Sequence, residues 1–257
     1  MTRVVVTGCG GRMGSEVCRV LADQTDIELA GGIEAPGHSL IGSALGKGKV
    51  GPDLALLIPQ ADVVVDFSNP AVMLANLEAA AGAGKAFVSG VTGLLENQMK
   101  VVCQCAEKIP VVHAPNFSVG VSVLCRLVAE AARLLGPEYD TEIVETHHRL
   151  KRDAPSGTAL RLVQAVKRGS GHHKTVHGRE GLTGPKPLDE IGVSSIRTGD
   201  VVGDHAVIFG GPGERLELTH RATSRMAFAA GVLAAVRFVV GRKPGLYSLD
   251  DVLAQSD

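Results

Sequence analysis

Two styles of hydrophobic patterning divide this chain. Up to about residue 118, short continuous apolar runs alternate with stretches of helical spacing. The runs cover residues 3–7 (Val4, Val5, Val6), 27–33, 61–67 (Val63, Val64, Val65), 86–89 and 111–114. Runs of that length and β-branched content predict strands buried on both faces, as in a parallel sheet. Helical spacing falls between them: residues 15–21, residues 71 to about 81 after a cap at Asn69-Pro70, and a helix reaching Lys108. A long helix over 118–135 follows and stops at Gly136-Pro137.

From Asp140 the strands become longer and amphipathic, at 140–146, 192–198, 205–209 and 215–221, with one helix at 158–167. That pattern predicts a mixed or antiparallel sheet with helices on one face. Residues 224–240 return to helical spacing, and a capping box from Ser248 to Asp251 opens a short helix over 248–253. The fold class expected is α/β: an N-terminal Rossmann-like parallel-sheet domain plus an α+β domain. Residues 35–60 read as a surface excursion with short helical turns. Residues 169–190 read as a flexible loop. His172, His173 and His177 lie in it, at a spacing that matches no standard metal site.

Composition adds exclusions. The 257 residues are 45% hydrophobic but only 3% aromatic, without tryptophan, so aliphatic packing must carry the core. A net charge of −1 argues against a nucleic-acid or membrane-surface partner, so any anion site must be local. Cys9, Cys18, Cys103, Cys105 and Cys125 show no C-x-x-C spacing and read as small buried residues rather than disulfides or zinc ligands. No signal-like run precedes the strand at Arg3, and no segment reaches membrane-spanning length, so a cytoplasmic protein is expected.

The candidate chemistry sits at strand ends. After the first strand comes Gly8-Cys9-Gly10-Gly11-Arg12-Met13-Gly14, then a helix, a strand and Glu34, 20 residues beyond Gly14. This is the dinucleotide-binding order, although Met13 takes the strict third-glycine position and the spacing is G-x-x-G-x-x-G. Residues 67–69, 90–93 and 115–117 occupy further strand ends, where open parallel sheets bind ligands. The densest stretch runs from Glu145 to Ala159. His147 and His148 end a strand, Lys151 lies four residues past the first, and Ser156-Gly157-Thr158 opens a helix. Amides at that N-terminus, a lysine and two imidazoles suit an anionic small molecule. If the strand continues through both histidines, they point to opposite faces and one is structural.

These stretches, with Asp66-Phe67-Ser68, the run from Ala114 to Val121 and the C-terminal G-E-R-L-E-L-T-H-R-A-T-S-R, resemble the dihydrodipicolinate reductase family in order along nearly the whole chain. The resemblance implies reduction of a cyclic dicarboxylate imine by NADH or NADPH in lysine and diaminopimelate synthesis. It implies His147 as general acid and Lys151 as a second catalytic and binding group. His148, Gly157, Thr158 and, from the cofactor side, Thr92 would contact substrate, with Arg225 closing the site. Gly8, Gly11, Arg12, Met13 and Gly14 would approach the pyrophosphate, and Glu34 the adenosine ribose. Phe67, Gly90, Thr92, Ala114, Asn116 and Phe117 would line the nicotinamide half. A dinucleotide domain over 1–118 with 226–257, a substrate and oligomerisation domain over 119–225, and a homotetramer without a metal complete the expectation. Two departures stand out. Val91 replaces the first threonine of a Gly-Thr-Thr-Gly turn, and Ala35 stands where members that accept NADPH often carry arginine. Another reductase on the same scaffold, such as an amino-acid dehydrogenase, and a nucleotide-binding regulator are the alternatives.

Overall fold

The computed structural model describes residues 1–171 and 174–254. It divides into two compact units, residues 1–119 with the C-terminal segment from 225 onward, and residues 120–224. Arg225, expected at the end of the second domain, falls in the first unit.

The first unit is built on the apolar runs. β1 (Thr2–Thr7), β2 (Ile27–Ile33), β5 (Val63–Asp66), β6 (Ala86–Ser89) and β7 (Pro110–His113) form a parallel sheet. Val4, Val5, Val6, Val63, Val64 and Val65 are fully buried, because helices cover both faces. On one face, α1 (Arg12–Ala22) and α7 (Met226–Val239) contribute Val17, Leu21, Val232 and Val236. On the other, α3 (Pro70–Gly82) and α4 (Glu96–Ala106) contribute Met73, Leu77 and Val102. Asn69 caps α3 by accepting from the Val72 amide at 3.2 Å.

Three corrections concern this unit. The first helix begins at Arg12 rather than Ser15, so Arg12, Met13 and Gly14 occupy its first turn. Residues 35–60 are not only surface turns. β3 (Ala44–Leu45) and β4 (Gly48–Gly51) form a hairpin, and β4 extends the sheet beside β2, followed by the short α2 (Leu54–Leu57). Four residues carry too little periodicity to announce such a strand. β13 (Gly245–Tyr247) adds to the opposite edge before α8 (Leu249–Leu253), giving the order β13-β7-β6-β5-β1-β2-β4-β3. Cys103 is exposed, unlike the other four cysteines, since it lies on the solvent side of α4.

The second unit has a mixed five-stranded sheet. Its order is β12 (Glu214–Ala222), β11 (Gly203–Gly211), β8 (Asp140–His147), β10 (Glu190–Arg197), β9 (Lys174–His177). β8, β10 and β9 are parallel, and β11 and β12 antiparallel. The strict buried/half-buried alternation of β8 puts Thr141, Ile143, Glu145 and His147 on one face. α5 (Val119–Leu135) and α6 (Gly157–Ser170) pack Val121, Leu124, Val128, Leu162 and Val166 into the core on that face with Ile143, Val207 and Phe209.

The described residues of the segment expected as a flexible loop are tied to the second sheet. His177 lies in β9, while His172 and His173 fall outside the described residues. Arg179 pairs with Glu190 at 2.6 Å and with Glu142 at 3.0 Å. Lys186 donates to the Thr141 carbonyl at 2.7 Å and to Glu142 at 2.8 Å. Thr141 and Glu142 lie on β8, far back in the chain, so the composition of this stretch alone resembled a loop.

Candidate active site

In the first unit the glycine turn is shaped by backbone proximity. Gly8 takes φ +71°, a left-handed conformation that disfavours any side chain, and a Cβ there would meet the Phe67 carbonyl oxygen at 2.7 Å. Gly11 is the N-cap of α1. Gly14, one turn in, brings α1 against the turn, and its Cβ would lie 1.9 Å from the Gly8 oxygen. The displaced spacing therefore still supplies a turn, a cap and a close helix contact. It leaves the α1 N-terminus open toward an anion.

A cavity of about 640 Å³ opens beside this turn. Gly8, Gly11, Glu34 and Phe67 line it, together with Gly10, His38, Asn69 and Asn76. Glu34 Oε1 accepts from the Gly10 amide at 2.7 Å and Oε2 from the Ala35 amide at 3.2 Å. A carboxylate has about four acceptor positions, so Glu34 retains capacity for two hydroxyls. Gly10, absent from the expected set, matters because a Cβ there would strike His38 and crowd Glu34. A nucleoside with its phosphates fits these walls: an acid for a diol, a helix N-terminus for phosphate, and apolar sides at Leu54 and Val72.

Arg12, Met13, Gly14, Gly90, Thr92, Ala114, Asn116 and Phe117 stand outside the walls of that cavity. Gly90 is needed because the Phe67 ring lies where its Cβ would be, at 2.2 Å, and Phe67 packs against Phe117 with centroids 6.1 Å apart. Asn116 accepts from the Ser118 amide at 2.7 Å. Thr92 is exposed, whereas Val91 is buried in the core and its amide donates to Ser89 Oγ at 3.2 Å. That explains the valine, whose side chain faces the core rather than solvent.

The second unit carries a buried imidazole paired with a buried carboxylate. β8 ends at His147, so His148 lies beyond the strand and the two rings are not bound to opposite faces of it. His147 is buried, with Nδ1 2.5 Å from Glu145 Oε2. Glu145, fully buried, also accepts from both Arg197 Nη groups at 2.8 and 2.7 Å and from the Ser156 amide at 3.2 Å. Burial alone would raise its pKa, but hydrogen bonds from Arg197, His147 and Ser195 hold it at about 2. Burial lowers the His147 pKa, outweighing the upward pull of Glu145, and Lys151 and Arg197 add to the lowering.

Ser156 caps α6 by accepting from the Ala159 amide at 3.1 Å, which places Gly157 and Thr158 in the first turn at the positive end of the helix. The His205 ring stands edge-on to His147 at 5.1 Å, and its Nε2 is 2.9 Å from Ser156 Oγ. Burial and then His147 push the His205 pKa down to about 3, so it is neutral at physiological pH. Lys151 is turned to Asp153, at 2.8 and 2.9 Å, and any substrate anion must compete with that carboxylate. Arg225 is the N-cap of α7 and its carbonyl accepts from Phe228 and Ala229.

Glu145, Arg197 and His205 were not singled out from the sequence, and Ser156 was read only as the start of a helix. Glu145 had a signal, since i and i+2 share a strand face with His147. Arg197 and His205 lie 50 and 58 residues from His147, on neighbouring strands, and no local pattern announces them. Among the described residues no group of three His, Cys, Asp or Glu side chains converges to hold a metal ion, and no helix is long and apolar enough to cross a membrane.

A nucleotide fold with a helix-capped phosphate turn, and a separate unit presenting a buried imidazole, belong to the class of two-domain NAD(P)-dependent oxidoreductases. The dihydrodipicolinate reductase N-terminus model matches residues 2–117 and the C-terminus model residues 120–253. The chain is 45% identical to the 4-hydroxy-tetrahydrodipicolinate reductase of Myxococcus xanthus (strain DK1622), over 98% of each chain. It is 44% identical to that of Syntrophobacter fumaroxidans (strain DSM 10017 / MPOB), over 98% of this chain and 99% of that one. A dipicolinate-bound dihydrodipicolinate reductase from Paenisporosarcina sp. TG-14 superposes with a TM-score of 0.79 at 27% identity, covering 96% of this chain and 97% of that one. This chain belongs to the dihydrodipicolinate reductase family, whose members are NAD(P)H-dependent oxidoreductases.

Proposed function

We propose that the protein reduces 4-hydroxy-tetrahydrodipicolinate to tetrahydrodipicolinate, with loss of water, in lysine and diaminopimelate synthesis, and that it prefers NADH. The observation that carries this reading is the placement of His147: a buried imidazole anchored through Nδ1, at a strand end, with Lys151 and the α6 N-terminus following in the same loop. The nicotinamide cofactor, when bound, supplies hydride to C4 once the C4 hydroxyl has left as water. His147 gives a proton to C3 from Nε2, and histidine is the side chain best matched to that task near neutral pH. Lys151, His148 and the Gly157–Thr158 turn hold the two carboxylates, and Thr92 and Arg225 are further substrate contacts. Gly8, Gly11, Arg12, Met13 and Gly14 approach the pyrophosphate. Glu34 holds the ribose, and Phe67, Gly90, Ala114, Asn116 and Phe117 shape the nicotinamide side. The direct test is oxidation of NADH, followed at 340 nm, with the product of the preceding synthase. No turnover at millimolar substrate would remove the assignment.

Preference for NADH rests on Glu34 and Ala35. The Glu34 charge repels a 2′-phosphate, and Ala35 supplies no compensating cation. A tenfold difference in kcat/KM corresponds to about 1.4 kcal/mol, within reach of one charge repulsion in a half-buried site. Ala35→Arg should raise NADPH efficiency about tenfold and leave NADH within a few fold. Kinetics with both cofactors at one ionic strength check this; equal wild-type efficiencies would show that Arg12 or another residue already neutralises the phosphate.

A cytoplasmic homotetramer is the proposed assembly. The face of the second sheet opposite α5 and α6 carries half-buried Val144, Ala206 and Ile208 and exposed Ile196, a surface suited to self-association. Sedimentation equilibrium should return about four times the chain mass of 26.7 kDa. A monomer at micromolar concentration would contradict it.

A further inference from the structure

We propose that Glu145 is a positioning residue for the proton donor: it holds His147 by Nδ1, with Arg197 as its fixed counter-charge, so that Nε2 alone carries the transferable proton. This rests on the reading of His147 as the acid. Glu145 and His147 lie on the same face of β8, and Arg197 and His205 stand on the two flanking strands, in register with His147 and Glu145 respectively. A carboxylate only accepts hydrogen bonds. With Oε2 2.5 Å from Nδ1, that nitrogen must bear hydrogen in both the neutral and the charged ring. The charged ring then differs from the neutral one by a single proton, on Nε2.

The carboxylate is itself fixed. Arg197 binds both its oxygens in a fork, and the same guanidinium donates to the Asp153 carbonyl at 2.7 Å. The loop that carries Lys151 is thereby tied to the group that orients His147. A buried carboxylate left without such partners would be costly and would take up the proton itself. With its pKa held at about 2, Glu145 does not compete with His147 for the proton at any pH near neutrality. A buried Glu–Arg pair serving only stability would not need an imidazole as its third member. Its replacement by apolar side chains is often neutral or stabilising.

The charged and titratable groups around His147 are Glu145 on its own strand, Arg197 on β10, His205 on β11, and Lys151 and Asp153 in the loop that follows. Of these, Glu145 raises the His147 pKa, while Lys151 and Arg197 lower it. Removing the Glu145 charge must therefore move the protonated form of His147 to lower pH, and removing the Arg197 charge must move it to higher pH.

The test uses the full-length protein and two variants, Glu145→Gln and Arg197→Gln, each checked for folding by thermal melting. The first readout is the ¹⁵N spectrum of His147 without substrate, assigned by comparison with His147→Gln. Wild type should show hydrogen on Nδ1 in the neutral ring, and Glu145→Gln should populate the Nε2–H form, because glutamine can also donate. The second is the pH profile of kcat. Its fall with rising pH should move to lower pH in Glu145→Gln, with kcat about tenfold or more below wild type, and to higher pH in Arg197→Gln. A variant that only loosens the fold would lower kcat without moving the midpoint. An unchanged tautomer with unmoved midpoints overturns the proposal. If Glu145→Gln does not fold, Arg197→Gln decides by the direction of its shift. The spectrum needs no turnover, so an inactive wild type with the expected tautomer would defeat the reading of His147 as acid and leave the positioning intact.

Discussion

Replacing His147 by glutamine should lower kcat by about 10²–10⁴, the usual contribution of a positioned general acid. Glutamine is close in size and can donate to Glu145, so the buried carboxylate keeps a partner and the fold should survive. NADH affinity should change little, because His147 belongs to the unit of residues 120–224, while the glycine turn and Glu34 belong to the other. Lys151→Ala gives a useful contrast. Its ammonium is paired with an exposed carboxylate, so its loss leaves no buried charge. It should raise KM as well as lower kcat, the signature of a group that binds substrate and assists the chemistry. Steady-state kinetics with a fluorescence titration of NADH separate the two cases. A His147→Gln enzyme with near-normal kcat would exclude this imidazole from proton transfer.

Gly14→Ala should have a large effect on both stability and cofactor binding, because its close backbone contact lies in the glycine turn itself. The added carbon would lie 1.9 Å from the Gly8 oxygen and 2.7 Å from its carbon, both backbone atoms of a tight turn. Relief requires α1 to move away from that turn. Overpacking of a close-packed site costs about 1–3 kcal/mol, and backbone overlap places this change at or above the upper end. In the proposed binding mode, the same movement withdraws the helix N-terminus from the pyrophosphate. The expected outcome is a melting temperature lower by several degrees and NADH affinity weakened at least tenfold, by calorimetry. Gly82→Ala, in the last turn of α3 with nothing within 4 Å of its Cβ, is the control and should be neutral or slightly stabilising. Equal behaviour of the two variants would mean that the close contact at Gly14 is unimportant.

The sequence by itself determined the parallel sheet of the first unit, its strand ends and the class of ligand they suit. The reason is local: Val4–Val6 and Val63–Val65 are continuous apolar runs that only a sheet covered on both faces can bury. Asn69, Ser156 and Ser248 announced helix starts because a capping side chain bonds to amides two or three residues on. The paired histidines, the lysine and the Ser-Gly-Thr turn were legible because all lie within twelve residues of one another.

What the tertiary structure decided depends on residues far apart in the chain. β4 joins the sheet only because β2 offers an unpaired edge, and β9 because β10 does. Gly14 is indispensable because of a carbonyl six residues back, and Gly90 because of the Phe67 ring. The partners of His147 are the clearest case. Arg197 and His205 reach it from flanking strands through the register of β10 and β11 on β8. A strand carries the identity of its own side chains, but its neighbours are chosen by the topology of the whole sheet.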